Sequence, residues 1–489
     1  MIKKIKRIEE ILSDKPYLLD NNYCPNVGLF PQSVSNSVKQ ILKGSNVYRY
    51  DIYNYRDDND EIINLGGGNP IECKTYKYIK KDLIKYIKSN TMNQYPNTIG
   101  DDSIKRNIID YLDSIGLKNN QEENIIITAS TTHAYSLVLK TIIKPKDVII
   151  IPVPTYGLFT YEPEKLKGEV VFYKLDEKDD WKINPKKLND LIKNTNEKLK
   201  IKYSHEEYIP RVVAIYNQNP NNPLSVYLDE KDEQLIYEIN KVCYENNTMI
   251  IDDLVYKDSI YDKNSSALPM AIFEEFKDNI ITLFGISKSY SLPAIRAGFI
   301  VANDYIIQDI RDNLFIELDS ISMINQIALA SIFNNDKKKC QYRKNFLKKI
   351  NKKYKFNLEI VKYFILGEKN VSKKAKKYIK KKIKKEELEI YKNGIKDVNF
   401  YHNLIPLSGF FALIDFSSLK NKKIDGKTIR NDRDFIIQLY KKSKIKFLPG
   451  SSFGWQNDNE IIGRITFSKN RDILIKNMSI LSKVINEIN

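Results

Sequence analysis

The chain has 489 residues, of which 42% are hydrophobic, so it can bury a large core and form two or three domains. Its formal net charge is +17. Clustered Lys and Arg can indicate a nucleic-acid or anionic-membrane surface. Because the whole sequence is rich in Lys, Ile, Asn and Tyr, we interpret the excess charge as solvated surface, and we expect neither nucleic acid nor a membrane as partner.

Several other classes of protein are disfavoured. The first 14 residues, MIKKIKRIEEILSD, lack the apolar stretch of a secretory signal, and no run approaches the roughly 20 apolar residues of a membrane helix. The three histidines lie far apart, which argues against a histidine-rich metal site, and we expect no metal. A reducing cytoplasm is the expected compartment, because the cysteines are scattered and form no CxxC pair: Cys24, Cys73, Cys243 and Cys340.

The first part of the chain, residues 1–58, is polar, with helices predicted over 2–13 and 33–44, and a charged connector, YNYRDDNDE, follows. From residue 75 to about 320, short β-branched runs alternate with helical patterns. Several of these runs are apolar on both faces, as in strands covered by helices on each side. We therefore predict a largely parallel α/β domain. The strand candidates are residues 124–128, 147–153, 170–175, 211–216, 248–253, 279–284 and 297–302.

After residue 325 the pattern becomes helical and then Lys-rich, in the segment VSKKAKKYIKKKIKKEELEIYK. We interpret this segment as a solvated amphipathic helix inserted at about 365–400, with contact to an anionic partner as the alternative. A strand at 409–416 and a closing helix near 470–488 follow. The predicted division is an N-terminal extension and arm over 1–74, a large domain over 75–324 and a small C-terminal domain over 325–489.

The most informative segment is GISKSYSLPAIRAGF, residues 285–299, which directly follows a strand candidate. Ligands bind at the carboxyl ends of strands in open α/β folds, and a lysine there can form a Schiff base with an aldehyde cofactor. Lys288 is that lysine, and the nearby Ser287 and Arg296 can bind a phosphate. An ordinary surface lysine is the alternative that this segment alone does not exclude.

Seven further segments have ordinary structural explanations when each is taken alone: a helix cap, an Asn/Pro turn, core packing of a tyrosine, or a solvent-facing arginine. Their order along the chain and their gaps are what give them weight. They are NLGGGNP, QYPNTIGDDSIKRNI, TASTTHAYSLV, VPTYGLF, YNQNPNNPLS, IIDDLVYKDSIYD and GRITFS.

Together with the lysine segment, these motifs resemble the fold type I enzymes that depend on pyridoxal 5′-phosphate (PLP), specifically the aspartate aminotransferase-like class I/II family. The resemblance runs from about Asn64 to Phe467. It implies a PLP-dependent transferase-like α/β fold. In that fold a large domain holds a mostly parallel seven-stranded sheet between helices, beside a smaller C-terminal α/β domain. It also implies PLP as cofactor and Lys288 as the residue that holds it.

The resemblance assigns roles around the cofactor ring. Asp253 would face the pyridine nitrogen and keep it protonated, so that the ring can accept electrons from a substrate carbanion. Tyr256 and Asn222 would lie beside the phenolic oxygen, and Tyr156 would stack on the ring. Asp252 is the adjacent rival of Asp253, and strand alternation points it to the opposite face.

Other positions match the family's phosphate and substrate sites. Gly68 matches the loop over the substrate, and Arg464 matches the arginine that binds the substrate α-carboxylate. Tyr95 matches a tyrosine that reaches the phosphate of the neighbouring subunit, which implies a homodimer with shared active sites. The remaining phosphate-binding positions lie at a helix amino terminus and in the lysine segment: Ser130, Thr131, Thr132, Ser287 and Arg296.

The chain departs from the family pattern at two places. Ser225 replaces the glycine of the family's N-P-x-G stretch, which leaves the geometry of that turn open. Gly285 stands where many relatives have a phosphate-binding serine, which makes phosphate affinity less well supported than the identity of the ring site.

The expected activity is transamination between an amino acid and a 2-oxo acid. A PLP lyase or decarboxylase is the nearest alternative, because the same apparatus supports several reactions at Cα. A basic, non-catalytic binding protein that keeps the fold is the second. A nucleotide-dependent enzyme is disfavoured, since the chain has no G-x-x-x-x-G-K-[ST] motif. The stretch LFIELDSISMINQ carries Glu317 and Asp319 but no basic residue, so we expect neutral or cationic donors rather than dicarboxylic ones.

Overall fold

The computed structural model describes residues 62–89, 91–160, 162–454 and 459–488. The helices predicted over 2–13 and 33–44 and the connector at 53–61 lie outside the described residues. Beyond the short β1 (Ile63–Asn64), all seven predicted strands of the large sheet are present. They are β2 (Ile125–Thr128), β3 (Val148–Val153), β4 (Glu169–Lys174), β5 (Val212–Gln218), β6 (Met249–Asp253), β7 (Ile280–Gly285) and β8 (Gly298–Val301).

These seven strands form one sheet in the order β2-β8-β7-β6-β5-β3-β4. Neighbours from β4 to β7 pair in parallel, whereas β8 is antiparallel to both β7 and β2. The prediction of a mostly parallel seven-stranded sheet is confirmed. Parallel strands all end at one edge, so the loops after β5, β6 and β7 meet at that edge.

Helices cover both faces of this sheet, which is why central strands such as β5 and β7 are buried along their whole length, whereas the edge strand β4 is partly exposed. Along β3, Ile149 and Ile151 join one core cluster while Val148 and Ile150 join another on the opposite face. The helices of this part of the chain, from Lys77 to Phe333, are α1 (Lys77–Ile87), α2 (Asp102–Ser114), α3 (Thr131–Ile142), α4 (Glu162–Lys165), α5 (Pro185–Lys202), α6 (Glu233–Glu245), α7 (Asp304–Leu318) and α8 (Met323–Phe333).

The C-terminal part has its own core and a four-stranded sheet in the order β14-β15-β10-β9. Its pairs β10–β15, β10–β9 and β14–β15 are antiparallel. The first described strand, β1, pairs with β13 of this part. The strands are β9 (Asn399–Phe400), β10 (Phe411–Asp415), β11 (Lys423–Ile424), β12 (Lys427–Thr428), β13 (Ile445–Lys446), β14 (Leu448–Pro449) and β15 (Ile462–Thr466).

The helices of this part include the predicted long helical stretch and the predicted closing helix. The Lys-rich segment forms two short helices rather than one, because Ile379, Ile383 and Tyr391 all turn into the C-terminal core. The helices are α9 (Lys337–Leu366), α10 (Lys373–Lys380), α11 (Leu388–Tyr391), α12 (Asp432–Ser443) and α13 (Arg471–Asn486). Within the described ranges, no helix has the length and apolar character required to cross a membrane.

Candidate active site

A cavity of about 430 Å³ lies at the carboxyl edge of the large sheet, where β5, β6 and β7 end. It is closed on the other side by the loop at 66–68 and by residues of β10, β14 and β15. Thirteen candidate residues were proposed from the sequence, and twelve of them line this cavity, all except Tyr95. They are Gly68, Ser130, Thr131, Thr132, Tyr156, Asn222, Asp253, Tyr256, Ser287, Lys288, Arg296 and Arg464.

Lys288 lies three residues after the end of β7, and its Nζ donates a hydrogen bond to the carbonyl oxygen of Gly68 at 2.8 Å. Burial, assisted by the positive charges of Arg464 and Arg296 and opposed by Asp253, lowers the pKa of Lys288 to about 8. An amine with this pKa is neutral in about a tenth of molecules at pH 7, far more often than an ordinary lysine, so it can act as a nucleophile and as a base.

This pKa predicts how the capture of an aldehyde depends on pH. We expect the apo-protein to capture pyridoxal covalently at a rate that rises with pH through a midpoint of about 8 and then levels off, because only the neutral amine attacks. Stopped-flow absorbance across the pH range measures the midpoint. A midpoint close to the ordinary lysine value of 10.5 would contradict the buried environment described for Lys288.

Asp253, the last residue of β6, is 1% exposed and projects into the cavity. Its Oδ2 accepts hydrogen bonds from the Tyr216 hydroxyl at 2.8 Å and from Gln218 Nε2 at 3.0 Å, and its Oδ1 accepts from the Val255 amide at 3.0 Å. Burial raises the pKa of Asp253, while these three donors and the charge of Lys288 oppose the rise. A buried carboxylate held by three donors has a fixed orientation and suits a cationic partner.

The adjacent Asp252 points the other way, as strand alternation predicts. It accepts hydrogen bonds from Asn217 Nδ2 and from the Met270 amide, both at 2.8 Å, and does not line the cavity. Burial raises the pKa of Asp252 to about 7. Of the two neighbouring carboxyl groups, only Asp253 can contact a ligand in the cavity.

Arg464 lies on β15 and is 2% exposed. Its Nη1 donates to Asn222 Oδ1 at 3.0 Å and its Nη2 to the Gly66 carbonyl at 2.8 Å. The guanidinium lies 3.9 Å from the ring centroid of Phe411 and 4.9 Å from that of Phe453. These contacts hold the planar guanidinium in one orientation at the cavity wall, which is what two-pronged binding of a carboxylate requires.

One end of the cavity suits a phosphate group. Helix α3 begins at Thr131, and Ser130 caps it by accepting a hydrogen bond from the His133 amide at 3.2 Å. The amide groups of a first helical turn, together with the hydroxyls of Thr132 and Ser287 and the guanidinium of Arg296, form an anion-binding arrangement.

The structure explains why Gly285 stands where a serine was expected. A Cβ at Gly285 would lie 2.8 Å from Cγ2 of Thr131, closer than real Cβ contacts allow. The side chain of Thr131 therefore occupies the space that a residue-285 side chain would need. Thr131 and Ser287 both line the cavity.

The turn after β5 accommodates Ser225 in place of glycine. Ser225 has φ +61°, a left-handed conformation that glycine adopts most readily. Two hydrogen bonds fix it there: its Oγ donates to the Phe411 carbonyl at 3.1 Å, and its own carbonyl accepts from Ser408 Oγ at 2.8 Å. The turn keeps the glycine-like geometry, so Asn222 still reaches Arg464.

Tyr256 and Tyr156 both line the cavity. Burial raises the pKa of Tyr256 well above its ordinary value, so its hydroxyl remains protonated and can only donate to an anionic oxygen. Tyr156 is half-buried and presents an aromatic surface to the cavity.

Among the residues in or beside the cavity that sequence reasoning missed, four contact the predicted site residues directly: Tyr216, Gln218, Phe411 and Phe453. Gln218 donates to Asp253 and accepts from the Asn222 amide at 2.9 Å, so it connects the buried carboxylate to the residue that contacts Arg464. The spacing of Tyr216 and Gln218, two apart on one strand, places them on one face and was the available signal. Phe411 and Phe453 offered no signal, because their contact with Arg464 depends on chain folding.

Two predicted features lie outside the cavity in this single chain. Tyr95 is 89% exposed and does not line the cavity of the single chain. Glu317 forms an ion pair with Lys140 and lies 3.5 Å from His133 Nε2, and neither Glu317 nor Asp319 lines the cavity.

The strand order of the large sheet and the cavity at its carboxyl edge together define the class of protein: this is an α/β protein with the PLP-dependent transferase fold. The aspartate aminotransferase from Rhizobium meliloti superimposes on it with a TM-score of 0.74 at 17% identity, covering 94% of this chain and 98% of that one. The family model for aminotransferases of class I and II matches residues 60–476. The chain belongs to that family, and the resemblance seen in its motifs is confirmed.

Individual relatives are distant. The aspartate aminotransferase of Musicola paradisiaca is 25% identical over 284 residues, which is 57% of this chain and 65% of that protein. The chain spans between 58% and 65% of the length of four aspartate aminotransferases that it matches. Kynurenine–oxoglutarate transaminase 3 of Rattus norvegicus is 22% identical, covering 80% of this chain and 77% of that protein. S-alkyl-thiohydroximate lyase of Arabidopsis thaliana is 23% identical, covering 82% and 76%.

The cofactor of this family is PLP, and the residues of the cavity fit it. The first turn of α3 with Arg296 suits the phosphate, the buried carboxylate of Asp253 suits a protonated ring nitrogen, and the amine of Lys288 suits the aldehyde. The volume of about 430 Å³ lies within the usual range of small-molecule pockets.

Proposed function

We propose that this protein is a PLP-dependent aminotransferase that exchanges the amino group between an amino acid and a 2-oxo acid. The observation that carries the proposal is the presence, in one cavity, of the low-pKa Lys288, the buried carboxylate Asp253 and the oriented guanidinium of Arg464. These three groups are what chemistry at an amino-acid Cα requires: a mobile proton, a stabiliser of a cationic ring and a carboxylate anchor.

Each residue of the cavity has a separate role in this proposed reaction. When bound, PLP supplies an aldehyde for the substrate amine and a ring that accepts the electrons released at Cα. Arg464 binds the α-carboxylate and thereby fixes the orientation of Cα. The Lys288 amine would move a proton at Cα, and the buried carboxylate of Asp253 would keep a proton on the ring nitrogen. Tyr256 would donate a hydrogen bond to the phenolic oxygen, and the first turn of α3 would hold the phosphate.

A PLP lyase is the second candidate, and the similarity to the Arabidopsis lyase favours keeping it. Both reactions begin with loss of the same proton, so the site geometry supports either. They differ in product: transamination leaves the cofactor as pyridoxamine phosphate after one half-reaction, whereas a lyase regenerates the aldehyde. Product analysis of a single turnover with each amino acid separates the two candidates.

The donor preference is the accompanying prediction. In the described ranges, Lys288, Arg296 and Arg464 are the cationic residues that line the cavity, and each has a proposed partner in the cofactor or the α-carboxylate. A side-chain carboxylate therefore gains no counter-charge from these residues. We expect neutral or cationic amino acids to react faster than aspartate in spectral titrations with a panel of twenty. Faster reaction with aspartate than with every neutral or basic donor would refute this preference.

We further propose a homodimer with shared active sites, located in the cytoplasm. Beside Tyr95, several apolar side chains are strongly exposed in the single chain, including Met92 at 52%, Phe315 at 60% and Ile316 at 83%. Such exposure is typical of surfaces covered by a partner. The described cysteines, Cys73, Cys243 and Cys340, are all free thiols, which supports a reducing compartment.

A further inference from the structure

The net charge of the chain is concentrated in one segment. Residues 337–385 contain 21 Lys and Arg but only two acidic residues, Glu359 and Glu368, which gives this stretch a formal charge of +19. The whole chain has +17, so the other 440 residues sum to −2. A composition bias over the entire chain explains abundant lysine but does not explain why acidic residues balance it everywhere except here.

The first part of this segment is α9, and its lysines form one stripe. Five exposed lysines, which we call the basic face, are Lys337, Lys344, Lys348, Lys352 and Lys355. At 3.6 residues per turn they fall within an arc of about 80°, opposite the buried side of the helix, and extend over about 27 Å. The last four are separated by three or four residues, which places a positive charge about every 5–6 Å.

No residue of the basic face forms an ion pair within the part of the chain that the structure describes. Other lysines of the segment do, as in Lys339 with Asp82 at 3.8 Å and Lys382 with Asp472 at 2.8 Å. Asp336 caps the helix and Glu359 pairs with Lys362, so the like charges of the basic face are left to repel one another, which costs stability unless an anion binds.

Helix α10 extends this positive surface. It lies beside the second half of α9, since the Ser372 amide donates to Glu359 Oε2 at 2.7 Å and the rings of Phe356 and Tyr378 are 5.6 Å apart. Its outward residues are again lysines, and these have no acidic partner among the described residues: Lys373, Lys374, Lys377 and Lys381.

We propose that the basic face, together with the outer side of α10, binds the phosphate backbone of double-stranded nucleic acid. Regularly spaced lysines match a line of phosphates, which they contact without reading bases. A helix that lies on a membrane needs large exposed apolar side chains, but the large apolar side chains of residues 337–385 are not exposed. Proteins that bind single-stranded nucleic acid stack its bases on exposed aromatic rings, and residues 337–385 have no large exposed aromatic side chain. Protein interfaces are depleted in Lys.

The test uses the full-length protein loaded with PLP and labelled RNA and DNA duplexes of about 20 base pairs, in fluorescence anisotropy over a range of salt concentrations. The variant carries Lys344→Gln, Lys348→Gln, Lys352→Gln and Lys355→Gln. We expect it to bind either duplex at least roughly tenfold more weakly, with the slope of log affinity against log salt reduced by about 3 to 4.

The matched control carries Lys186→Gln, Lys193→Gln, Lys198→Gln and Lys200→Gln, four exposed lysines on α5. It loses the same charge, and we expect its affinity to change little. Equal weakening in both variants, no salt-dependent binding by the parent protein, or binding to anionic vesicles instead of the duplexes would each overturn the proposal. Neither set lines the cavity, so both variants should keep the amino-acid-dependent spectral change, which tests the proposed function separately.

Discussion

Lys288→Ala is expected to lower the rate of the amino-acid half-reaction by about 10³-fold or more, because both the covalent attachment of the cofactor and the proton carrier at Cα are lost. The amine that is removed has its pKa lowered to about 8 and lies in hydrogen-bond contact with the loop over the cavity. Single-turnover absorbance measures the rate. Borohydride reduction followed by peptide mass analysis locates the attached cofactor, which we expect on Lys288 in the parent protein and nowhere in the variant.

Lys257→Ala is the matched control. Lys257 is also buried, 4% exposed, but its Nζ lies 3.7 Å from Asp258 Oδ1 and outside the cavity. We expect this variant to retain cofactor attachment and turnover. An unchanged half-reaction rate in Lys288→Ala, or cofactor attached to another lysine in the parent protein, would contradict the assignment.

Asp253→Asn is expected to lower the half-reaction rate by about 10²–10³-fold, because a neutral amide stabilises a protonated ring nitrogen far less than a carboxylate does. The substitution is nearly isosteric, but it leaves only one acceptor oxygen, so either the Val255 amide on Oδ1 or the pair Tyr216 and Gln218 on Oδ2 loses its acceptor. Single-turnover kinetics give the rate, and titration of the apo-protein with PLP gives the cofactor affinity.

Asp252→Asn provides an internal comparison one residue away. Asp252 is equally buried, but its hydrogen bonds from Asn217 and the Met270 amide lie on the other face of β6. We expect this change to cost about 1–3 kcal/mol of stability in thermal or denaturant unfolding and to leave the cofactor spectrum intact. The opposite pattern, with normal turnover in Asp253→Asn and lost turnover in Asp252→Asn, would exchange the two roles.

Local features of the sequence predicted the large domain well. Each of the seven strands was visible as a short β-branched run, since a strand buried on both faces must be apolar throughout. The position of Lys288 at the sheet edge followed from the strand that precedes it. The choice of Asp253 came from the family resemblance, and alternation along β6 placed Asp252 on the opposite face. The Lys-rich segment was wrongly predicted as one helix, because helical spacing alone does not reveal that Ile383 and Tyr391 pack into the C-terminal core.

By itself, the sequence determined the kind of fold and the cofactor through the family resemblance of short motifs, and it predicted Lys288 as the lysine that holds the cofactor. Only the tertiary structure decided how distant segments meet. Arg464 contacts Asn222 and Gly66, which lie 242 and 398 residues away, and its stacking on Phe411 depends on the pairing of β10 with β15. Contacts at such separation arise from packing the two parts of the chain around one cavity, and no local pattern encodes them.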